Sequence, residues 1–142
     1  MAKKIAVVTG ANRGIGFEIS RQLASAGLCV VMTSRDEVKG KAAKDALYNQ
    51  DFDLRYHQLD VTSDDSVNAL AAYLKTEFGG LDVLVNNAGV LYDDDRLEAS
   101  VLEVSLERFR VTMEANFYGP LRVCQGLAAL LRKSKSARIV NI

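Results

Sequence analysis

Residues 9–16, with the sequence TGANRGIG, constrain the fold of this chain more than any other segment. They follow an unbroken apolar run, Ile5–Val8, and lead into a helically spaced apolar pattern that begins at Phe17. A buried strand that ends in glycines and continues as a helix forms a phosphate site in α/β proteins, because the first N–H groups of the helix point at the anion. The candidate dinucleotide-binding residues of this segment are Gly10, Asn12, Arg13, Gly14, Ile15 and Gly16.

The glycines of this segment are expected to serve backbone geometry. Gly10 would allow the tight turn, and Gly14 and Gly16 would let the backbone approach a ligand and the neighbouring strand. Phe17 and Glu18 follow Gly16 where a P-loop would need Lys and Ser or Thr, so that motif is excluded. A turn whose glycines serve packing alone is the alternative.

Strand-like and helix-like segments alternate along the whole chain. This alternation predicts βαβ units, a parallel sheet and right-handed crossovers, and hence a doubly wound, three-layer Rossmann-type α/β fold. Ligands of such a sheet bind beyond the carboxyl ends of its strands. With one proline and no repeat or linker, residues 1–142 are expected to form a single domain. The predicted strands are 5–9, 28–33, 54–59, 81–85 and 138–142, and the predicted helices are 15–26, 38–48, 62–78 and 106–131.

Composition and charge argue against several classes of partner. The formal net charge is +0, which provides no electrostatic footprint for nucleic acid or an anionic membrane. No apolar stretch approaches the ~20 residues of a membrane span, and residues 1–4 leave no room for a signal peptide, so we expect a cytoplasmic protein. Cys29 and Cys124 lack metal-ligand spacing and are expected to be buried free thiols.

The residues after the second strand bear on the choice of coenzyme. A dinucleotide site has its selector about 20 residues beyond the glycine loop, where this chain has Arg35. A guanidinium donates two parallel hydrogen bonds to a phosphate, so Arg35 can pair with a 2′-phosphate, and Arg13 can approach it from the glycine loop. NADP(H) is therefore expected. Two surface arginines are the alternative, and Asp36, one residue beyond the usual NAD selector position, leaves NAD(H) open.

Two further motifs lie at predicted strand ends. Asp60 and Val61 follow the third strand, where the carboxylate could equally cap the next helix. Asn86, Asn87, Ala88 and Gly89 close the fourth strand. Their small residues would let a ribose lie against the backbone, and the asparagine amides would tie neighbouring strands together.

Together the segments TGANRGIG and NNAG resemble the cofactor motifs of the short-chain dehydrogenase/reductase family. The resemblance extends along the chain and is greatest to the carbonyl reductase and menthone/salutaridine reductase branch. It implies an oxidoreductase acting on a carbonyl or alcohol, with the basic pair directed at NADP. It also implies that Asp60 and Val61 contact the adenine and that Asn87, Ala88 and Gly89 contact a ribose.

The predicted helix 106–131 contains Pro120, which must disturb it. Proline lacks the N–H that would bond the carbonyl four residues back, and that carbonyl belongs to Asn116. The family resemblance implies that an asparagine in a pattern like NFYG holds a water of the proton relay, which makes Asn116 a catalytic candidate. A kink with a surface asparagine is the alternative. The helix also predicts an apolar stripe, to be explained as core or as a subunit interface, formed by Leu106, Phe109, Met113, Phe117, Cys124, Leu127 and Leu131.

Two remaining features are interpreted as structural. His57 occupies an alternating position inside the third strand, and the acidic residues 93–95 lie in a polar loop and are expected to be solvated surface.

The resemblance also implies a catalytic serine and a Tyr-x-x-x-Lys motif, neither of which can be assigned here. No tyrosine of the sequence is followed by lysine four positions later. We therefore expect the cofactor-binding half of an enzyme, inactive by itself toward its small-molecule carbonyl substrate. The alternative is a non-catalytic NADP(H)-binding or assembly module. A homo-oligomer could form through the 106–131 helix or through an exposed edge of the fifth strand.

Overall fold

The computed structural model describes residues 2–49, 51–91 and 102–142. The acidic residues 93–95 lie outside this part of the chain. The strands are β1 Ile5–Val8, β2 Cys29–Ser34, β3 Asp53–Gln58, β4 Val83–Asn86 and β5 Arg138–Asn141. The helices are α1 Gly14–Ser25, α2 Glu37–Ala46, α3 Asp64–Glu77, α4 Leu106–Met113 and α5 Gly119–Leu131, with a π-helical segment, Glu114–Tyr118, between the last two.

All five strands are parallel and lie in the order β3-β2-β1-β4-β5. The chain moves outward from β1 to β3, and then returns to the other side of β1 with β4 and β5. This reversal beside β1 is the topological switch point of a doubly wound sheet, where ligands of such folds bind. The predicted Rossmann-type fold is therefore confirmed.

The hydrophobic core forms one layer on each face of the sheet. Ala6, Val8, Val30 and Met32 pack with α1 and α2, while Val7, Val31 and Leu84 face α3 and α5. Every residue of β2 is buried, as expected for a strand covered on both faces. The glycine loop therefore follows a strand that lies in the solvent-excluded centre of the sheet.

Local signals set the helix boundaries. Ser63 caps α3, since its Oγ accepts a hydrogen bond from Ser66 N at 3.2 Å. Gly27 (φ +89°) follows α1 and Gly79 (φ +73°) follows α3 in the left-handed conformation, at the predicted ends.

The helix predicted over 106–131 has these bounds, and it consists of three consecutive helical segments. The π-helical residues Glu114–Tyr118 separate α4 from α5, and Pro120 falls in the first turn of α5, where its missing N–H costs little. A π turn inserts an extra residue and so rotates the apolar face. The predicted apolar stripe therefore does not form one continuous core face, and its explanation as a subunit interface stays a prediction. Leu127 and Leu131 are buried, but Leu106, Phe109 and Phe117 are exposed, and α4 has no buried residue.

No helix within the described residues combines the length and the apolar character needed to cross a bilayer.

Candidate functional site

The glycine loop is tightened by contacts that a side chain would prevent. Gly10 has φ +61°, and a Cβ there would lie 2.8 Å from Ala88 Cα. Gly16 is buried, and a Cβ there would overlap Asn87 Nδ2 and the Gly10 carbonyl. Gly14 differs: its φ is +58°, and a Cβ there would meet nothing within 4 Å. Gly10 and Gly16 therefore serve close packing, while Gly14 faces open space.

The NNAG segment is bonded to the residue before the glycine loop. Thr9 Oγ1 accepts hydrogen bonds from Asn87 N at 2.9 Å and Ala88 N at 2.8 Å. The Asn87 amide donates to the carbonyls of Thr9 and Gly10, each at 3.1 Å. These bonds join the ends of β1 and β4 at the switch point. The prediction that the asparagine amides tie neighbouring strands together is confirmed.

The first turn of α1 has the chemistry of an anion site. Its N-cap, Arg13, provides no side-chain cap and its first turn contains no acidic residue. By contrast α2, α3 and α4 are capped by the side chains of Asp36, Ser63 and Ser105. The N–H groups of α1 thus point, with the helix dipole, into the space beside Gly14. A pyrophosphate fits this arrangement.

The loops after β1, β2, β3 and β4 surround one large cleft of about 710 Å³. It brings together every predicted cofactor residue except Gly16, which lies beneath the loop. Those lining it are Gly10, Asn12, Arg13, Gly14, Ile15, Arg35, Asp60, Val61, Asn87, Ala88 and Gly89.

One end of the large cleft is basic. Arg13, Arg35 and Lys39 all line it there. Asp36 lines it too, but its Oδ1 accepts a hydrogen bond from Lys39 N at 3.0 Å and caps α2. In this conformation Asp36 acts as a helix cap, which weighs against the NAD-selector role left open for it.

The loop between β3 and α3, which carries Asp60 and Val61, forms another part of the cleft wall. Asp60 Oδ1 accepts hydrogen bonds from Thr62 N at 2.9 Å and Thr62 Oγ1 at 2.7 Å, so Asp60 organises its own loop and does not cap α3. The Val61 carbonyl accepts a hydrogen bond from Arg122 of α5 at 2.9 Å. The pKa of Arg122 is raised above its ordinary value, chiefly by its hydrogen bond to Glu114, so this guanidinium stays charged.

A second cavity of about 490 Å³ adjoins the large cleft. The two share Asn87, Ala88 and Gly89 as lining residues. Away from this shared wall the second cavity is mainly apolar, with Phe117, Leu121 and Ile142 among its lining residues. A reactive end of a bound dinucleotide and an apolar small molecule could meet along the shared wall.

Asn116 lies at this second cavity and holds the loop that follows β4. Its Oδ1 accepts a hydrogen bond from Val90 N at 2.7 Å, and its Nδ2 donates to Val90 O at 2.8 Å. The π-helical segment therefore presents the Asn116 side chain to Val90, an arrangement that the sequence did not indicate. The relay role implied by the family resemblance stays a prediction.

Two hydrogen-bonded asparagines end β4 and β5, of which Asn86 is buried and Asn141 is exposed. Asn86 Nδ2 donates to Asn141 Oδ1 at 2.9 Å and lies 3.4 Å from Cys124 Sγ. Asn86 Oδ1 is buried without a hydrogen-bond partner among the described residues. Cys124 is half-buried and lines the second cavity, so the expectation of a buried thiol holds only for Cys29.

His57 lines neither cavity. Its Nδ1 lies 2.7 Å from the Gln58 carbonyl and its ring is 4.9 Å from that of Tyr73, which agrees with a structural role. Sequence reasoning missed Lys39 and Val90. Lys39 lies four residues after Arg35 at the start of α2, and that spacing could have identified it.

Comparisons with known proteins agree with this geometry. The family model described as short chain dehydrogenase matches residues 4–142. The chain is 47% identical to (+)-neomenthol dehydrogenase of Arabidopsis thaliana, covering 98% of this chain and 53% of that protein. It is 40% identical to carbonyl reductase [NADPH] 3 of Rattus norvegicus, covering 98% and 48% respectively. The structure of salutaridine reductase from Papaver somniferum superposes with a TM-score of 0.87 at 38% identity, covering 98% of this chain and 56% of that one.

The chain thus spans about half the length of these relatives. Its sheet order, glycine loop and NNAG segment occur over the region that the family model matches. This chain belongs to the short-chain dehydrogenase/reductase family, in the branch of the menthone and salutaridine reductases.

Proposed function

We propose that this chain is the cofactor-binding part of an NADP(H)-dependent oxidoreductase that interconverts a carbonyl compound and an alcohol. The observation that carries the proposal is the cleft at the switch point, whose lining includes an uncapped helix N-terminus and three basic side chains. When bound, the nicotinamide supplies or accepts the hydride.

The residues divide this task by position. The backbone around Gly14 holds the pyrophosphate, and Arg13, Arg35 and Lys39 neutralise the 2′-phosphate. Asp60 and Val61 contact the adenine, and the NNAG wall contacts the ribose next to the reacting ring. The carbonyl substrate enters the second cavity, whose apolar lining suits the compounds that name the relatives, such as neomenthol and salutaridine.

Coenzyme preference tests this proposal directly. In Arg35→Ala we expect the affinity for NADPH to fall about 10-fold to 100-fold, because a charge-assisted phosphate contact is lost. The affinity for NADH should change less than about twofold, since NADH lacks that phosphate. Titration calorimetry with both coenzymes measures the two effects. Lys41→Ala is the control, since Lys41 is on the same helix and pairs with Glu37 but does not line the cleft. Equal losses for both coenzymes in Arg35→Ala would remove Arg35 from the phosphate site.

A second candidate is NADP(H) binding without turnover. It is favoured by the lack of any Tyr-x-x-x-Lys within these 142 residues. Reduction of a carbonyl substrate by this chain with NADPH, lost in Asn116→Ala, would support the enzyme. Binding of NADPH with no turnover would support the module.

A further inference from the structure

Arg35 is carried by a short turn, residues 34–36, between β2 and α2. The backbone carbonyls of this turn are held by residues at the end of β3. Ser34 O accepts hydrogen bonds from Leu59 N at 2.9 Å and Tyr56 Oη at 3.2 Å, and Arg35 O accepts from Gln58 Nε2 at 3.2 Å. The main chain on both sides of the Arg35 Cα is therefore anchored to the neighbouring strand.

The hydroxyl of Tyr56 is the centre of this anchor. Ser34 Oγ donates its only proton to Asp36 O at 2.8 Å, so in the 2.9 Å contact between the two hydroxyls the phenol of Tyr56 is the donor. The single phenol proton is therefore shared between Ser34 Oγ and Ser34 O. The two hydroxyls form a chain of hydrogen bonds from β3 across the turn to the first residue before α2. Burial raises the pKa of Tyr56, which keeps the phenol protonated as this donor.

The fit around this pair of hydroxyls is tight. Ser34 is 3% exposed, and a Cβ at Gly40, on the first turns of α2, would overlap both Ser34 Oγ and the Tyr56 ring. Helix α2 therefore lies directly against the hydroxyl pair.

We propose that Tyr56 is a positioning residue for coenzyme selectivity, acting through the 34–36 turn to hold Arg35 at the basic end of the cleft. The inference rests on the proposed function, in which Arg35 binds the 2′-phosphate. Tyr56 itself does not line the cleft and does not need to touch the coenzyme. Its hydroxyl reduces the number of conformations that the 34–36 turn can adopt. The turn therefore loses less conformational entropy when the phosphate binds.

The selectivity ratio, Kd for NADH divided by Kd for NADPH, is the quantity to measure, by titration calorimetry on the 142-residue chain. Tyr56→Phe should lower this ratio about fivefold, mainly by lowering the affinity for NADPH, because the substitution removes one well-placed hydrogen bond from the turn. Tyr73→Phe is the matched control. It removes a hydroxyl from another half-buried tyrosine, whose ring packs on His57 and Phe78 on the opposite face of the sheet.

A double-mutant cycle separates positioning from general loosening of the fold. If Tyr56 acts through Arg35, Tyr56→Phe should change the ratio less than about twofold in an Arg35→Ala background. An unchanged ratio in Tyr56→Phe, or an equal fall in both backgrounds, would overturn the inference. Should Tyr56→Phe fail to fold, Gln58→Met removes the bond to the Arg35 carbonyl and should lower the ratio in the same way, and an unchanged ratio there would equally overturn it.

The same titrations keep the two proposals apart. An original chain that binds both coenzymes equally, or a ratio unaffected by Arg35→Ala, would overturn the proposed NADP(H) preference and the inference with it. An NADPH preference that depends on Arg35 but not on Tyr56 or Gln58 would overturn the inference alone.

Discussion

Gly14 is the residue at which loop geometry and ligand binding can be separated. Gly10 and Gly16 are enclosed by neighbouring backbone, so any side chain there damages the fold itself. Gly14 lines the cleft, and a side chain there would extend into open space. Only the positive φ of +58° disfavours a side chain at this position. Gly27 offers the same combination of positive φ, +89°, and open space, but far from the cleft.

We therefore expect Gly14→Ala and Gly27→Ala each to lower the free energy of unfolding by about 1 kcal/mol, the cost of placing a Cβ in the left-handed region. Only Gly14→Ala should also lower the affinities for NADPH and NADH, both by about tenfold or more, because its methyl group lies where the pyrophosphate common to the two coenzymes binds. Denaturant unfolding and calorimetry measure the two effects separately. Full nucleotide affinity in Gly14→Ala would contradict the placement of the pyrophosphate.

At the scale of elements, the predictions succeeded where a signal is local to the chain. The glycine loop and the NNAG segment follow buried strands, and their carboxyl ends must meet in a parallel sheet, so Gly14 and Asn87 could be brought together from sequence. The π-helical segment could not be foreseen. Pro120 indicated a disturbance of the helix, but it did not indicate which kind. A kink and an inserted residue would turn different sides of α5 toward the core, and the packing of α5 against α3 determines which of the two forms. The Tyr56–Ser34 bond depends similarly on how β2 and β3 pair.

Arg122 connects three of these elements. Its guanidinium bonds Glu114 Oε1 of the π-helical segment at 2.6 Å, Asp64 Oδ1 of α3 at 2.7 Å and the Val61 carbonyl at 2.9 Å. The Asp64 side chain is 82% exposed, so solvent screens that pair, and the other two bonds carry most of the energy.

Arg122→Met should therefore lower the free energy of unfolding by about 1–2 kcal/mol, since it keeps the apolar stem and removes the hydrogen bonds. Thermal or denaturant unfolding measures this change. Arg21→Met is the control: Arg21 pairs with Glu18 on the surface of α1, where both side chains are about half exposed, and no measurable change is expected. Equal stability of Arg122→Met and the original chain would show that the three contacts do not join the elements.

On the scale of the whole molecule, the two edges of the sheet differ in how they are protected. The outer strand β3 carries charges, with Asp53 lying 3.6 Å from Lys3 and 3.3 Å from Arg55. At the other edge, β5 pairs only with β4 within the described residues, and its Ile139 and Val140 are 48% and 43% exposed. Charged side chains on an edge strand disfavour pairing with a strand of another chain, whereas an open apolar edge favours such pairing.

We accordingly expect this chain to self-associate through β5 as its concentration rises. Val140→Lys should weaken the association about tenfold or more, because it would bring a charge into the new strand pairing. Val38→Lys, on the exposed side of α2 where Val38 is 78% exposed, should leave it unchanged. Sedimentation velocity over a range of concentrations measures both variants. If Val140→Lys associates as strongly as the original chain, the contact lies elsewhere, and the exposed Leu106, Phe109 and Phe117 become the surface to mutate next.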